Sequence, residues 1–223
     1  MKRVLKRLIP TSVNVAIRRS RAKTYWASKT QPAANSEKII AVAKDSIQSS
    51  TPKVLEFGAN GGGNLIAFLE AYPHARVVGV DVNSVVERPS AKWDNYTGIT
   101  GDERRLLNFS NKEFDLAFTV SVLDHIPSRK VVVEVLSSLC RISRRIILLE
   151  PFLCGQEGDV SNQLRHLVDP RLKDDGSKFA NFCFFWNYDV MLNDLEVRWD
   201  KVECPLHSKS LGPYYWLYQI DPN

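Results

Sequence analysis

The chain has 223 residues, of which 44% are hydrophobic, and it carries a net charge of +5 at neutral pH. A chain of this length forms one domain with a substantial core more readily than two. Its apolar runs are shorter than the roughly 20 residues of a membrane-spanning helix, and the pattern of a secretory leader is missing. These features favour a cytoplasmic protein.

The cysteines carry no metal signature. They show neither a C-x-x-C pair nor the spacing of a zinc site, so we predict reduced thiols and no bound metal ion. The four are Cys140, Cys154, Cys183 and Cys204.

Positive charge is concentrated at the N-terminus. Nine Lys and Arg residues precede the first acid, Glu37, so this segment carries +9 and the rest of the chain −4 of the net +5. Interleaved apolar residues predict a basic amphipathic arm over residues 1–35. Four roles stay open: a lid over a cofactor site, contact with an anionic membrane surface through residues 1–23, a mitochondrial transit peptide, or a phosphate-binding arm. The acidic remainder argues against an extended nucleic-acid surface.

A strand, a glycine-rich turn and a helix are predicted next. The apolar run from Val54 ends near an acid, four glycines follow within six residues, and Leu65–Tyr72 has helical apolar spacing. Glycines allow a ligand to approach backbone N–H groups at a helix N-terminus closely. A second predicted strand, Val77–Asp81, also ends on an acid. An acid at this offset in a βαβ nucleotide site accepts hydrogen bonds from ribose hydroxyls.

The glycine-rich turn resembles motif I of class I S-adenosylmethionine (SAM) methyltransferases. That motif reads E/D-x-G-x-G-x-G, and here it is Glu56-x-Gly58-x-Asn60-x-Gly62. The dinucleotide fingerprint G-x-G-x-x-G fits less well, because Asn60 would stand at its second glycine. The resemblance implies SAM as cofactor, with Glu56 near its ammonium group and Asp81 at its ribose.

Further elements extend this resemblance. The segment 96–103 resembles the third strand and its acidic loop, where Asp102 is the candidate for the adenine amino group. Residues 114–127 resemble the fourth strand and motif IV of small-molecule methyltransferases, followed by a helix capped by Ser128. The cofactor-binding residues that the resemblance implies are Glu56, Gly58, Ala59, Asn60, Gly62, Asp81, Val82, Asp102, Glu103 and Thr119.

The end of the chain predicts how the sheet is completed. A fifth strand ends at Glu150, a helix covers about Tyr188–Leu195, and two strands, Val197–Glu203 and Tyr214–Ile220, form a hairpin. We therefore predict an α/β domain over residues 36–223 with a Rossmann-like class I methyltransferase fold. Its seven-stranded sheet is mostly parallel with an antiparallel last strand, and helices cover both faces. A Rossmann dehydrogenase would end on a parallel strand.

Residues 152–187 exceed a normal strand-to-helix connection, so we predict an insertion on the substrate side. Its first part is polar and its second part aromatic. This mixture suits a sugar or another polyhydroxylated acceptor, although clustered aromatics can also form ordinary core. His207, in the loop before the last strand, is a weaker candidate for an acceptor contact.

Three residues at the predicted strand ends are candidates for acid–base catalysis. His125 lies just past the fourth strand and is the residue type best suited to accept a proton near neutral pH. Asp124 and Glu150 are alternates on the same rim. A packing role for His125 and a strand-ending role for Glu150 also stay open.

The predicted function is SAM-dependent O-methylation of a hydroxylated small molecule, a sugar or a lipid-linked glycan. Base N-methyltransferases commonly carry an Asn/Asp-Pro-Pro-aromatic motif after the fourth strand, where this chain reads Thr119-Val-Ser-Val. A nucleic-acid acceptor is therefore disfavoured. Two alternatives remain: a protein or RNA methyltransferase recruited through the basic arm, and a non-catalytic binding or scaffold protein with this fold.

Overall fold

The computed structural model describes residues 36–126, 128–151, 186–205 and 214–222. The predicted arm over residues 1–35, nearly all of the predicted insertion and His207 lie outside them. The helices are α1 (Ser36–Ser46), α2 (Gly63–Ala71), α3 (Arg129–Ile142) and α4 (Tyr188–Asp194). The strands are β1 (Lys53–Phe57), β2 (Arg76–Asp81), β3 (Tyr96–Thr100), β4 (Leu116–Val120), β5 (Ile146–Pro151), β6 (Arg198–Pro205) and β7 (Tyr214–Asp221). Short 3₁₀ helices cover Ser84–Ala91, Glu103–Asn108 and Leu123–His125.

All seven strands form one sheet in the order β3-β2-β1-β4-β5-β7-β6. The first five strands in this order are parallel, and β7 runs antiparallel to both β5 and β6. The predicted fold class is confirmed. After β3 the chain crosses to the other side of β1 to form β4, so strand order reverses between β1 and β4. In open α/β sheets the ligand crevice lies outside the carboxyl ends of the strands at such a reversal.

Helices cover both faces of the sheet. α3 and α4 pack on one face, and α1 and α2 pack on the other. The central strands are buried on both faces, as in Ile146–Leu149 of β5, where all four side chains have no exposed surface. α3 begins after Ser128, whose hydroxyl accepts a hydrogen bond from the Val131 N–H at 3.5 Å, as predicted. Within the described ranges, no helix combines the length and the apolar character needed to cross a bilayer.

The edge strand β3 is covered by the 3₁₀ helix Ser84–Ala91. The Ser90 hydroxyl accepts a hydrogen bond from the Gly98 N–H at 3.2 Å, and the Glu87 carboxylate accepts from the Thr100 N–H at 3.3 Å. These side chains satisfy strand N–H groups that would otherwise form an open edge. The 3₁₀ helix lies so close to β3 that a Cβ on Gly98 would overlap the carbonyl oxygen of Val86.

Replacing Gly98 should therefore destabilise the fold. We expect Gly98→Ala to lower the free energy of unfolding by about 1–3 kcal/mol, because the added methyl group pushes the 3₁₀ helix away from β3. The matched control is Gly61→Ala, where nothing lies within 4 Å of an added Cβ. Urea denaturation measures both variants, and equal stability of Gly98→Ala and wild type would contradict the expectation.

Candidate active site

The loops after β1 and β4 meet at the strand-order reversal. Gly58 has a φ of 83°, and a Cβ at this position would overlap the side chain of Val122. The Gly58 N–H donates to the Val80 carbonyl at 2.7 Å, which brings the turn across the end of β2. A residue with a side chain at position 58 would separate the two loops, so glycine is required there.

Asp81 at the end of β2 fixes the glycine-rich turn. Its carboxylate accepts hydrogen bonds from the backbone N–H groups of Asn60 at 2.9 Å and Asn83 at 2.8 Å. Asn60 has a φ of 45°, in the left-handed region that asparagine adopts more readily than most residues. Asparagine thus preserves the backbone shape of the motif where the family pattern has glycine. The backbone N–H of Asn60 makes this bond to Asp81.

Glu56 is a buried acid beneath the same turn. It is 2% exposed, and its Oε1 accepts a hydrogen bond from the Asn64 side-chain amide at 2.7 Å. Its Oε2 is buried and has no hydrogen-bond partner among the described residues. Burial raises the pKa of Glu56 to about 8; the Asn64 hydrogen bond opposes this shift and the charge of Asp81 adds to it. A buried acceptor with spare capacity next to a second acid fits a cationic group, such as the ammonium of SAM.

Tyr96 is a residue of this site that the sequence interpretation missed. Its buried hydroxyl lies against Gly62 of the turn and Gly79 of β2, so the ring supports the turn from below. Burial, followed by the charges of Glu56 and Asp81, raises the pKa of Tyr96, which places the phenol near both acids. A glycine inside a strand often marks such a close approach, and Gly79 was the available signal.

Asp102, the predicted adenine-binding acid, binds groups close to it in the chain. Asp102 caps the 3₁₀ helix Glu103–Asn108, and its Oδ2 accepts a hydrogen bond from the Arg104 guanidinium at 2.6 Å. This hydrogen bond lowers the pKa of Asp102. Glu103 is partly exposed, and Val82, after Asp81, is 43% exposed. The adenine contact of Asp102 stays a prediction, and it requires the carboxylate to be shared with Arg104.

The acid–base candidates differ in accessibility. His125 ends the 3₁₀ helix Leu123–His125 and its side chain is 24% exposed, whereas Asp124 is 3% exposed. The His125 Nε2 lies 3.9 Å from the Asp124 Oδ1. Glu150 has no exposed surface, and its Oε1 accepts a hydrogen bond from the Thr119 hydroxyl at 2.7 Å. Of the three candidates, His125 is therefore the one that reaches the rim.

Two groups of predicted residues are thus assembled at the carboxyl edge of the sheet. Glu56, Asn60 and Asp81 gather at the ends of β1 and β2, and Asp124, His125, Glu150 and Thr119 gather at the ends of β4 and β5. The part of the chain that the structure describes holds no group of three or more His, Cys, Asp or Glu side chains placed to bind a metal ion.

Comparison with known proteins agrees with the fold. A family model described as a methyltransferase domain matches residues 55–145. No curated protein sequence matches the chain. Among solved structures, 1,6-didemethyltoxoflavin-N1-methyltransferase of Burkholderia thailandensis, determined with 1,6-didemethyltoxoflavin and S-adenosylhomocysteine bound, has 15% identity and a TM-score of 0.66 over 96% of this chain and 91% of that one.

Two further structures have similar scores. The YcgJ protein of Bacillus subtilis has 15% identity and a TM-score of 0.62 over 84% of this chain and 98% of that one. A SAM-dependent methyltransferase of Methanosarcina mazei has 17% identity and a TM-score of 0.57 over 81% of this chain and 96% of that one. The likeness to these structures concerns the fold. The family match over residues 55–145 agrees with that fold.

Cofactor affinity should depend on pH through Glu56. With a pKa of about 8 in the free protein, Glu56 is protonated at neutral pH, and a bound ammonium group favours its ionised form. Binding therefore releases a proton. Affinity should rise as the pH is raised towards about 8, by at most about tenfold per pH unit, and level off above. Calorimetry with S-adenosylhomocysteine in buffers of different ionisation enthalpy measures this release.

Glu56→Gln should bind more weakly at pH 8 and release fewer protons. Comparing this variant with wild type separates the proton that Glu56 releases on binding from any proton that the ligand's own amino group releases. Glu70→Gln, an exposed acid on α2, is the matched control and should behave like wild type. Equal proton release by wild type and Glu56→Gln would show that Glu56 does not titrate on binding.

Proposed function

We propose that this chain, a class I SAM-dependent methyltransferase, methylates a hydroxyl oxygen of a small molecule, a sugar or a lipid-linked glycan. The observation that carries the proposal is His125, a partly exposed histidine directly after β4 with a buried carboxylate 3.9 Å from its Nε2. An alcohol becomes a better nucleophile when a base takes its proton as the new bond forms. A histidine at the rim of the crevice is the residue type best suited to that task.

The two loops have different roles: the turn after β1 binds the cofactor, and the loop after β4 contacts the acceptor. When bound, SAM supplies a methyl group on a cationic sulfur that leaves as a neutral thioether. Glu56 would hold the ammonium end of SAM, and Asp81 would hold its ribose. His125 orients the acceptor hydroxyl and takes its proton, and the neighbouring loops exclude water. Most of the rate enhancement in such a displacement comes from holding the acceptor oxygen and the methyl group in the right relative position.

Two features of the sequence support an oxygen acceptor of this class. The Asn/Asp-Pro-Pro-aromatic pattern of base N-methyltransferases is replaced by Thr119-Val-Ser-Val. The N-terminal segment before Glu37 carries +9, which favours an acceptor presented at an anionic surface, such as a lipid-linked glycan.

The acceptor class is identified with SAM labelled on its methyl group. We expect the full chain, incubated with host extract, to transfer label to alkali-stable products in the water-soluble small-molecule fraction or the lipid-extractable fraction. The first result indicates a free sugar or small molecule, and the second a lipid-linked acceptor. Label confined to protein or RNA would overturn the proposal, and so would a failure to label any fraction.

Loss of the histidine should slow the reaction without affecting cofactor binding. We expect His125→Gln to reduce kcat by about 10²- to 10⁴-fold, because no base then receives the hydroxyl proton. Affinity for S-adenosylhomocysteine should stay close to that of wild type. His74→Gln is the matched control, since His74 is exposed and precedes β2 at the opposite edge of the sheet. Wild-type kcat in His125→Gln would exclude His125 as the base.

A further inference from the structure

Glu150 is the only charged residue in the apolar strand β5, and it is completely buried. Its carboxylate accepts hydrogen bonds from three donors at the end of β4 and in the loop beyond. The Thr119 hydroxyl donates to Oε1 at 2.7 Å, and the backbone N–H groups of Val122 and Leu123 donate to Oε2 at 3.2 Å each. An acid so enclosed does not reach an acceptor molecule at the rim.

These bonds form where the chain leaves the sheet. Ser121 has a φ of 50°, which turns the backbone after β4, and its N–H still donates to Leu149 of β5 at 3.0 Å. The next two N–H groups have passed the end of the strand ladder. A buried N–H without a partner is costly, and Glu150 supplies the acceptor for both.

A second side chain holds the same loop from the other side. The Trp186 indole N–H donates to the Leu123 carbonyl at 2.9 Å, and Trp186 is 5% exposed. Leu123 is therefore fixed at its N–H by Glu150 and at its carbonyl by Trp186.

The anchored loop connects the two halves of the site. The side chain of Val122 meets Gly58 of the glycine-rich turn, and Asp124 and His125 follow directly. A displacement of this backbone moves the histidine relative to the turn that holds the cofactor.

We propose that Glu150 is a positioning residue, which fixes the backbone at Val122 and Leu123 and thereby sets His125 at the working distance from the cofactor turn. The proposal rests on the proposed function, because its consequence for rate requires methyl transfer at this rim. Glu150 does not itself exchange a proton with the acceptor.

The hydrogen bonds require a polar side chain of this shape more than a negative charge. Burial, and then the charge of Asp124, raise the pKa of Glu150, so the neutral form is accessible. A glutamine can accept from the two backbone N–H groups through its oxygen and donate to the Thr119 hydroxyl through its amide. A leucine of similar size can do neither.

The test compares Glu150→Gln, Glu150→Leu and Trp186→Phe in the full chain, with the exposed substitution Glu134→Leu on α3 as control. Two readouts are used: hydrogen exchange at the Val122 and Leu123 amides, and kcat with the acceptor found by labelling. We expect Glu150→Leu to accelerate local exchange and reduce kcat by about 10- to 100-fold. Glu150→Gln should keep at least about a third of wild-type kcat, because its hydrogen bonds are retained.

Trp186→Phe should show a smaller loss in the same direction, and its effect should not add to that of Glu150→Leu, because both act on one loop. Glu150→Gln as slow as Glu150→Leu with unchanged loop exchange would make Glu150 a catalytic acid or base and overturn the proposal. Wild-type kcat in Glu150→Leu would also overturn it. The expected exchange pattern without transfer to any hydroxyl would support the anchoring of the loop and reject the proposed function instead.

Discussion

Hydrogen bonds from strand-ending carboxylates to the backbone of a neighbouring loop hold the site together. Asp81 at the end of β2 accepts from Asn60 in the loop after β1, and Glu150 at the end of β5 accepts from Val122 and Leu123 in the loop after β4. β2 and β5 flank the β1–β4 pair in the sheet. The two carboxylates therefore act from opposite sides on the two loops that border the crevice, at the point where backbone N–H groups lose their sheet partners.

This arrangement concentrates negative charge around the crevice. Glu56 and Asp81 lie on one side, and Asp124 and Glu150 on the other. Burial and mutual repulsion raise the pKa of Glu56 and of Glu150, so the free site carries less charge than four ionised acids would. A cation entering the crevice restores the ionised form of Glu56. The site thus combines a reduced charge in the free state with acceptors suited to a cationic group.

The fold, and the placement of Glu56, Asn60 and Asp81 around one turn, could be predicted from the sequence because they depend on local patterns. Apolar strands ending on acids, a glycine-rich turn and an alternating hairpin are visible in the order of residues, and the sheet follows from them. The environments of the acids are not visible in this way. All three acids end apolar strands, yet their environments differ. Glu56 retains a spare acceptor atom, Asp81 holds a turn and Glu150 is fully enclosed. These differences come from the groups that the fold brings to each acid: Asn64 at Glu56, the backbone N–H groups of the turn at Asp81, and the loop after β4 at Glu150.

The position of β7 has a consequence for how the protein is made. β6 precedes β7 in the chain, but its place in the sheet is at the edge, and β7 lies between it and β5. During synthesis β6 has no neighbour to pair with until the ribosome has delivered residues 214–221. The five parallel strands can assemble as the chain emerges, whereas the final two must join together. The nascent chain therefore leaves the edge of β5 open until β7 arrives, and this interval is when it most needs protection from aggregation.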